Sequence, residues 1–208
     1  MRTRIKICGI TRVEDARAAA TLGADAIGLV FHAASARAVS IPRAREIVAA
    51  TPPLVACVGV FLNADRDLVR EVLASMRLDF LQFHGEESAA VCGSFGRPYI
   101  KAVALSGELD LASCANQYPQ AAGFLLDSHQ PGQMGGLGIK GDWSRVPRHS
   151  PQSLILAGGL NAGNVAAAVR DIGPHGVDVS SGVERGKGIK DAAKIKAFIN
   201  EVRRVDCC

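Results

Sequence analysis

Aromatic residues are scarce in this chain. They make up 5% of it, with one tryptophan and two tyrosines. No basic run is interleaved with them, so the stacking platforms that hold single-stranded nucleic acid have no counterpart here. A net charge of +4 suits an anionic small molecule but is too weak a footprint for nucleic acid. Long apolar runs are also missing, which excludes a membrane span. Met1-Arg2-Thr3-Arg4 is charged, but the apolar stretch behind it is too short for a secretory signal. Regular cysteine spacing is absent as well. The six cysteines fall at irregular intervals in a chain that is not small. A disulfide framework is therefore not expected, and the protein reads as cytoplasmic. Cys57, Cys92 and Cys114 read as small buried hydrophobes, and Cys207 and Cys208 as a frayed tail. No pair of cysteines or histidines has zinc-ligand spacing, so no metal site is expected.

What the chain does have is alternation. With 48% hydrophobic residues it can build one well-cored domain over residues 1–208, and no stretch resembles a linker. Apolar runs predict strands at Arg4–Cys8, Ala24–Phe31, Leu54–Leu62, Asp79–Phe83, Tyr99–Ala104, Ala122–Leu126, Ser153–Ala157 and Gly176–Val179. Helical patterns fall between them at Val13–Leu22, Pro42–Ala50, Arg66–Met76, Glu86–Phe95, Glu108–Gln117, Asn161–Ile172 and Asp191–Val205, with at most a short one at Asp142–Val146. Thr11 is placed to cap the first helix. Strands alternating with helices imply a parallel sheet with right-handed crossovers. Eight units of roughly 25 residues fit a small (β/α)8 TIM barrel. The rival is an open doubly wound sheet, which would show a Gly-x-Gly-x-x-Gly turn after its first strand; here the chain reads Cys8-Gly9-Ile10-Thr11.

A barrel places its active site at the C-terminal ends of the strands. The residues there are Cys8, His32, Asn63, His84, Asp127, Gly158 and Ser180. Leu156-Ala157-Gly158-Gly159-Leu160-Asn161 follows strand seven, and Asp178-Val179-Ser180-Ser181-Gly182-Val183-Glu184 closes strand eight. Phosphate-binding barrels hold the anion on these two loops, where glycines admit close backbone approach and hydroxyls add donors. Gly158, Gly159, Ser180, Ser181 and Gly182 are the candidates. Alone, each motif also reads as a tight turn; on consecutive strands they favour a sugar phosphate.

Cys8 alone reads equally as a buried structural thiol, and Asp127 as a loop cap. Beside the phosphate loops they read as base and acid. The thiol then needs a nearby positive charge to favour its thiolate, and the carboxyl needs desolvation to keep its proton. Arg37, in the loop after strand two, suits a substrate carboxylate or is merely a solvated loop residue. The segment from Asp127 to Asp142, with Gly132, Gly135, Gly136, Gly138 and Gly141, reads as a mobile lid or an idle loop. Strand alternation points Lys6 to the same face as Cys8, into the barrel. Val177 and Val179 suit the helix-facing layer, which turns Asp178 inward. Strands one and eight are neighbours once the barrel closes, so Lys6 and Asp178 are expected within ion-pair reach below the site. His84, Lys6 and Asp178 are further candidates for the substrate pocket.

The motifs carry a resemblance. Lys6-Ile7-Cys8-Gly9-Ile10-Thr11, Gly23-Ala24-Asp25-Ala26-Ile27-Gly28, Val58-Gly59-Val60-Phe61, Gln82-Phe83-His84-Gly85-Glu86, Leu125-Leu126-Asp127-Ser128, Ala157-Gly158-Gly159-Leu160, Asn164-Val165, the Asp178–Glu184 run and Gly188-Ile189-Lys190-Asp191 are similar to the signatures of the phosphoribosylanthranilate isomerases of tryptophan biosynthesis. The resemblance implies a TIM barrel that performs an Amadori rearrangement. N-(5-phosphoribosyl)anthranilate becomes 1-(2-carboxyphenylamino)-1-deoxyribulose 5-phosphate. It implies Asp127 as the acid that opens the sugar ring, Cys8 as the base at sugar carbon two, and Arg37 as the carboxylate grip. It implies no cofactor, because the substrate amine serves as electron sink. The expected partner is this small sugar phosphate, with no nucleic acid or membrane, acting on a monomer. The chain departs from the family at Ala36 and Ala38, where Pro and Tyr are usual, and at Leu137 and Gly141. A histidine-pathway isomerase would want a carboxylate in place of Cys8 and a second phosphate cradle, and the Lys101–Gly107 region is too poor in glycine to form one. A non-catalytic sugar-phosphate sensor would keep the Gly158 and Ser180 loops without needing Cys8 or Asp127.

Overall fold

Eight short parallel strands close on themselves: β1 (Arg4–Cys8), β2 (Ala26–Val30), β3 (Ala56–Phe61), β4 (Phe80–Phe83), β5 (Tyr99–Ala104), β6 (Ala121–Asp127), β7 (Leu154–Leu156) and β8 (Gly176–Val179), with β8 pairing back onto β1. This is the expected (β/α)8 barrel. The computed structural model describes residues 2–105, 110–127, 143, 146 and 150–206. Helices α1 (Val13–Leu22), α2 (Ile41–Ala50), α3 (Arg66–Ser75), α4 (Ala89–Cys92), α5 (Leu111–Gln117), α6 (Val165–Ile172) and α7 (Ala192–Asp206) run between and after the strands. No helix among the described residues is long and apolar enough to cross a membrane.

The strand period of two separates two cores. Ile5, Ile7, Val177 and Val179 face outward and pack, fully buried, under the helices. Ile100, Leu125 and Ala157 form a smaller cluster with Phe80, Ala102 and Ile155. The register sets Lys6 opposite Ala26 on one side and Asp178 on the other, and Cys8 opposite Gly28.

Helix ends follow local chemistry. Gly23 takes a left-handed φ of 101° and returns its N–H to Ala19 and Ala20, which stops α1. Ser40 caps α2, with Pro42 in its first turn. The expected Thr11 cap is not made. Arg12 is the first flanking residue, and the Thr11 hydroxyl donates instead to the Gly188 carbonyl. The helix expected over Glu86–Phe95 shrinks to one turn, α4, followed by a 3-10 turn at Gly93–Phe95. Its intended start is tied elsewhere: the Glu86 N–H donates to Asn63 Oδ1, and the Glu87 carboxylate accepts from the Asn63 and Gly85 N–H groups. α6 begins at Val165 rather than Asn161, because Asn161 and Asn164 turn their side chains onto nearby backbone N–H groups. After β8, a 3-10 turn (Ser181–Val183) leads into an unexpected hairpin, β9 (Glu184–Gly186) and β10 (Ile189–Lys190). Cys57 and Cys92 are buried as expected, whereas Cys114 is only partly covered. The glycine-rich segment from Ser128 to Asp142, with Leu137 and Gly141, lies outside the described residues, as do Glu108, Cys207 and Cys208.

Candidate active site

Cys8 is the last residue of β1 and is 9% exposed. Its place depends on a missing side chain: a Cβ at Gly28 would lie 2.7 Å from the Cys8 sulfur and 3.2 Å from Lys6 Cε. Beside it, Lys6 Nζ donates to Asp178 Oδ1 at 2.9 Å, with both side chains buried, so the expected ion pair is present. Burial disfavours the Lys6 ammonium, but Asp178 and Cys8 more than offset it and hold its pKa above the ordinary value. For Cys8 the balance runs the other way. Burial pushes its thiol up, Lys6 pulls it down, and the Asp178 carboxylate pushes it up again. The positive neighbour expected to favour the thiolate is there, but desolvation outweighs it.

Asp127 ends β6 and is 7% exposed. The ring of His84, just past β4, faces it with Nε2 3.3 Å from Asp127 Oδ2. The other ring nitrogen, Nδ1, lies 3.0 Å from the side-chain amide of Gln82. Below them, Lys101 and Glu87 form a second buried pair at 3.4 Å. Lys101 also donates to the Phe83 and Gly85 carbonyls, which fastens the loop carrying His84.

Arg37 lies where the loop after β2 folds over the site, but it is not a solvated loop residue. Its Nε and Nη2 donate to the two Glu184 carboxylate oxygens at 2.8 and 2.7 Å. Lys190 Nζ donates to the same carboxylate at 2.8 Å and reaches the Ser180 hydroxyl at 3.3 Å. Burial raises Glu184, yet Arg37 and Lys190 together hold its carboxyl below the ordinary range. Burial also lowers Lys190, and the nearby Glu184 charge does not fully restore it. Gly9, with a φ of +73°, lies beneath: a Cβ there would be 2.4 Å from Arg37 Cδ and 3.0 Å from Ser180 Oγ.

The glycine loops meet as the barrel order requires. Gly158 and Gly159 take left-handed φ values of 83° and 67°. A Cβ on Gly182 would sit 2.0 Å from the Leu160 carbonyl oxygen, so the loop after β8 packs directly on the loop after β7. Cys8, Arg37, His84, Asp127, Asp178 and Ser180 line one cavity at the C-terminal mouth. Lys6 lies one step deeper, and Gly158, Gly159, Ser181 and Gly182 flank that mouth on the adjoining loops. Asn63 fixes loops rather than entering the cavity. Sequence reasoning gave no role to Glu184, Lys190, Gln82 or the Lys101–Glu87 pair. The first two stand inside motifs already singled out, Asp178–Glu184 and Gly188-Ile189-Lys190-Asp191, and that placement was the available signal. Among the described residues, no three of His, Cys, Asp or Glu are grouped as ligands for a metal ion.

Comparison with known proteins finds relatives along nearly the whole chain. A family model for N-(5'phosphoribosyl)anthranilate (PRA) isomerase matches residues 5–201. An N-(5'-phosphoribosyl)anthranilate isomerase of Pseudomonas fluorescens is 56% identical over 201 residues, covering 97% of this chain and 96% of the relative. That of Azotobacter vinelandii is 54% identical over 200 residues, covering 96% and 97%. Among solved structures, phosphoribosyl anthranilate isomerase from Thermotoga maritima superposes with a TM-score of 0.88 at 40% identity, covering 97% of this chain and 99% of that one. A complex of such an isomerase with reduced 1-(o-carboxyphenylamino)-1-deoxyribulose 5-phosphate gives 0.81 at 37% identity, again covering 97% and 99%.

Proposed function

The chain belongs to the N-(5'-phosphoribosyl)anthranilate isomerase family, and from that premise we propose that Cys8 is the base and Asp127 the acid of its isomerisation, a step of tryptophan biosynthesis. Asp127 gives a proton to the ribose ring oxygen. The bond from sugar carbon one to that oxygen breaks, its electron pair stays on oxygen, and the nitrogen lone pair forms the Schiff base. The Cys8 thiolate then takes the proton from carbon two, and the enolamine tautomerises to the ketone. The substrate nitrogen accepts and returns the electron pair, so the reading calls for no external electron carrier. Ser180, Ser181 and the backbone at Gly158, Gly159 and Gly182 hold the phosphate. Two cations, Arg37 and Lys190, face one anion, Glu184, so this cluster has a surplus positive charge to offer a phosphate or carboxylate. Arg37 grips the anthranilate carboxylate by exchanging part of its pairing with Glu184.

The observation that carries this reading is the convergence on one cavity of a thiol from β1, a carboxylate from β6 and the serine that follows β8. The isomerase complex with a reduced product analogue shows that a relative's site accepts a ligand of this chemistry. The test is the loss of substrate fluorescence on adding the protein. Cys8→Ser and Asp127→Asn should each lower kcat by about 10²–10⁴-fold while the Kd for a reduced product analogue stays near the wild-type value. Near-normal turnover in either variant would remove that residue from its role.

A further inference from the structure

The side chain of Lys190 has no exposed surface. The register of the β9–β10 hairpin sets it opposite Glu184. The Lys190 backbone N–H donates to Asp15 Oδ2 at 3.1 Å, which fastens the hairpin to α1. An ammonium has three N–H groups and no acceptor. Three oxygens take them here: Glu184 Oε1 at 2.8 Å, the Ser180 carbonyl at 3.2 Å and the Ser180 hydroxyl at 3.3 Å. Lys190 has neither surface nor donor left for a ligand, so its contacts act through the groups it holds. We propose that Lys190 is a positioning residue that turns the Ser180 hydroxyl proton toward the substrate phosphate. This rests on the reading of Ser180 as a phosphate contact.

Hydrogen-bond direction follows from the geometry. A serine hydroxyl donates one hydrogen bond and accepts two, and its proton rotates to suit its neighbours. The ammonium cannot receive that proton. Ser180 Oγ is therefore the acceptor in this contact, and its O–H points elsewhere. No group among the described residues accepts it. Ser180 lines the cavity at the mouth, and the proton is left to face that space. The same ammonium also holds the Ser180 carbonyl, so the serine is gripped at two atoms and its side chain has little freedom to swing away. Gly9 leaves the room this needs: a Cβ there would come within 3.0 Å of Ser180 Oγ.

A phosphate oxygen is an acceptor. An O–H already fixed as a donor meets it without giving up another partner, and the cost of orienting it is met on folding rather than on binding. The loop after β8 is thereby set to receive an oxyanion and to disfavour a group that can only donate. The hairpin that carries Lys190 so acquires a part in recognition, although it supplies no atom that touches the ligand.

Calorimetric titration with a reduced product analogue, and with its dephosphorylated form, tests the proposal. Ser180→Ala should raise the Kd of the phosphorylated analogue by about 10-fold or more, the worth of a hydrogen bond to a charged group. Lys190→Met should raise it as well. In the Ser180→Ala background the same change should cost a much smaller factor, what remains being the loss of its charge. The dephosphorylated form should show no such difference between backgrounds. Glu184 keeps Arg37 on both oxygens, so replacing Lys190 strands no buried charge. An equal cost of Lys190→Met in the two backgrounds would show that it acts by charge or packing alone and would overturn the proposal while leaving Ser180 on the phosphate. An unchanged Kd in Ser180→Ala would remove Ser180 from the phosphate and take the proposal with it. A second measurement uses Lys190→Ala, where propylammonium replaces the lost chain without its tether. It should restore tight binding of the phosphorylated analogue when Ser180 is present and not in Ser180→Ala. Propanol has the same shape but can take the serine proton; equal rescue by propanol would show that Lys190 only fills space.

Discussion

Cys8 is bounded by a glycine that leaves it room and by an ion pair whose two charges pull its pKa in opposite directions. Its position, its strand partner and its Lys6 neighbour were all legible in the sequence, because strand alternation and closure of β1 on β8 are rules of topology. Its electrostatic balance was not, because burial depth is a property of the whole mouth. The balance makes a signed prediction. The Asp178 carboxylate raises the Cys8 pKa directly and also holds the Lys6 ammonium. Asp178→Asn removes both effects, so Lys6 turns to the sulfur and the folded-state pKa of Cys8 falls. The pH midpoint for alkylation of Cys8, followed by peptide mass, should therefore shift downward, while Lys6→Met should shift it upward. Cys57, pushed up to about 11 by its own burial, serves as an internal reference. An unchanged midpoint in Asp178→Asn would show that the ion pair does not govern the thiol.

The loop and hairpin elements above the barrel were the least legible part of the chain. β9 has three residues and β10 two, too few for any alternation to register. The contacts they make are far apart in sequence: Arg37 and Glu184 are separated by 147 positions. A charge pair of that kind has no periodic signature, and neither does the buried Lys101–Glu87 pair. The strands, by contrast, were read to within two residues at each end, because buried parallel strands appear as plain apolar runs. α4 shows the limit: its apolar pattern was right, but Glu87 serves the loops and shortens the helix. Glu184 fastens the loop after β2, β10 and, through Lys190, the end of β8. Its folded-state pKa is depressed, so its contribution to stability is present above the unfolded value near 4.5 and is lost as pH falls through the folded one. Glu184→Gln should lower the melting temperature at neutral pH, since removing one member of a buried pair costs about 3–5 kcal/mol. It should also flatten the acid limb. Melting temperatures followed by circular dichroism from neutrality to about pH 3 would check both. A variant whose acid limb runs parallel to the wild type would show that Glu184 is not the group being titrated.

At the scale of the whole molecule, the barrel turns distant sequence positions into one site and then needs a seam. β1 and β8 lie at opposite ends of the chain, and their ladder closes the ring with Lys6 set against Asp178. Closure is therefore where folding and chemistry share residues. Lys6→Met leaves the Asp178 carboxylate buried without its partner and should cost about 3–5 kcal/mol. Adding Asp178→Asn removes the stranded charge, so the double variant should recover much of that loss although it has lost the ion pair altogether. Activity should not follow stability, because in both variants Cys8 lacks its nearest cation. Urea unfolding of the wild type, both single variants and the double variant closes the cycle and yields the coupling energy. If the double variant is as unstable as the sum of the single ones, the pair is not coupled. The closure of the barrel would then rest on backbone hydrogen bonds and on the apolar layer of Ile5, Ile7, Val177 and Val179 beneath the helices.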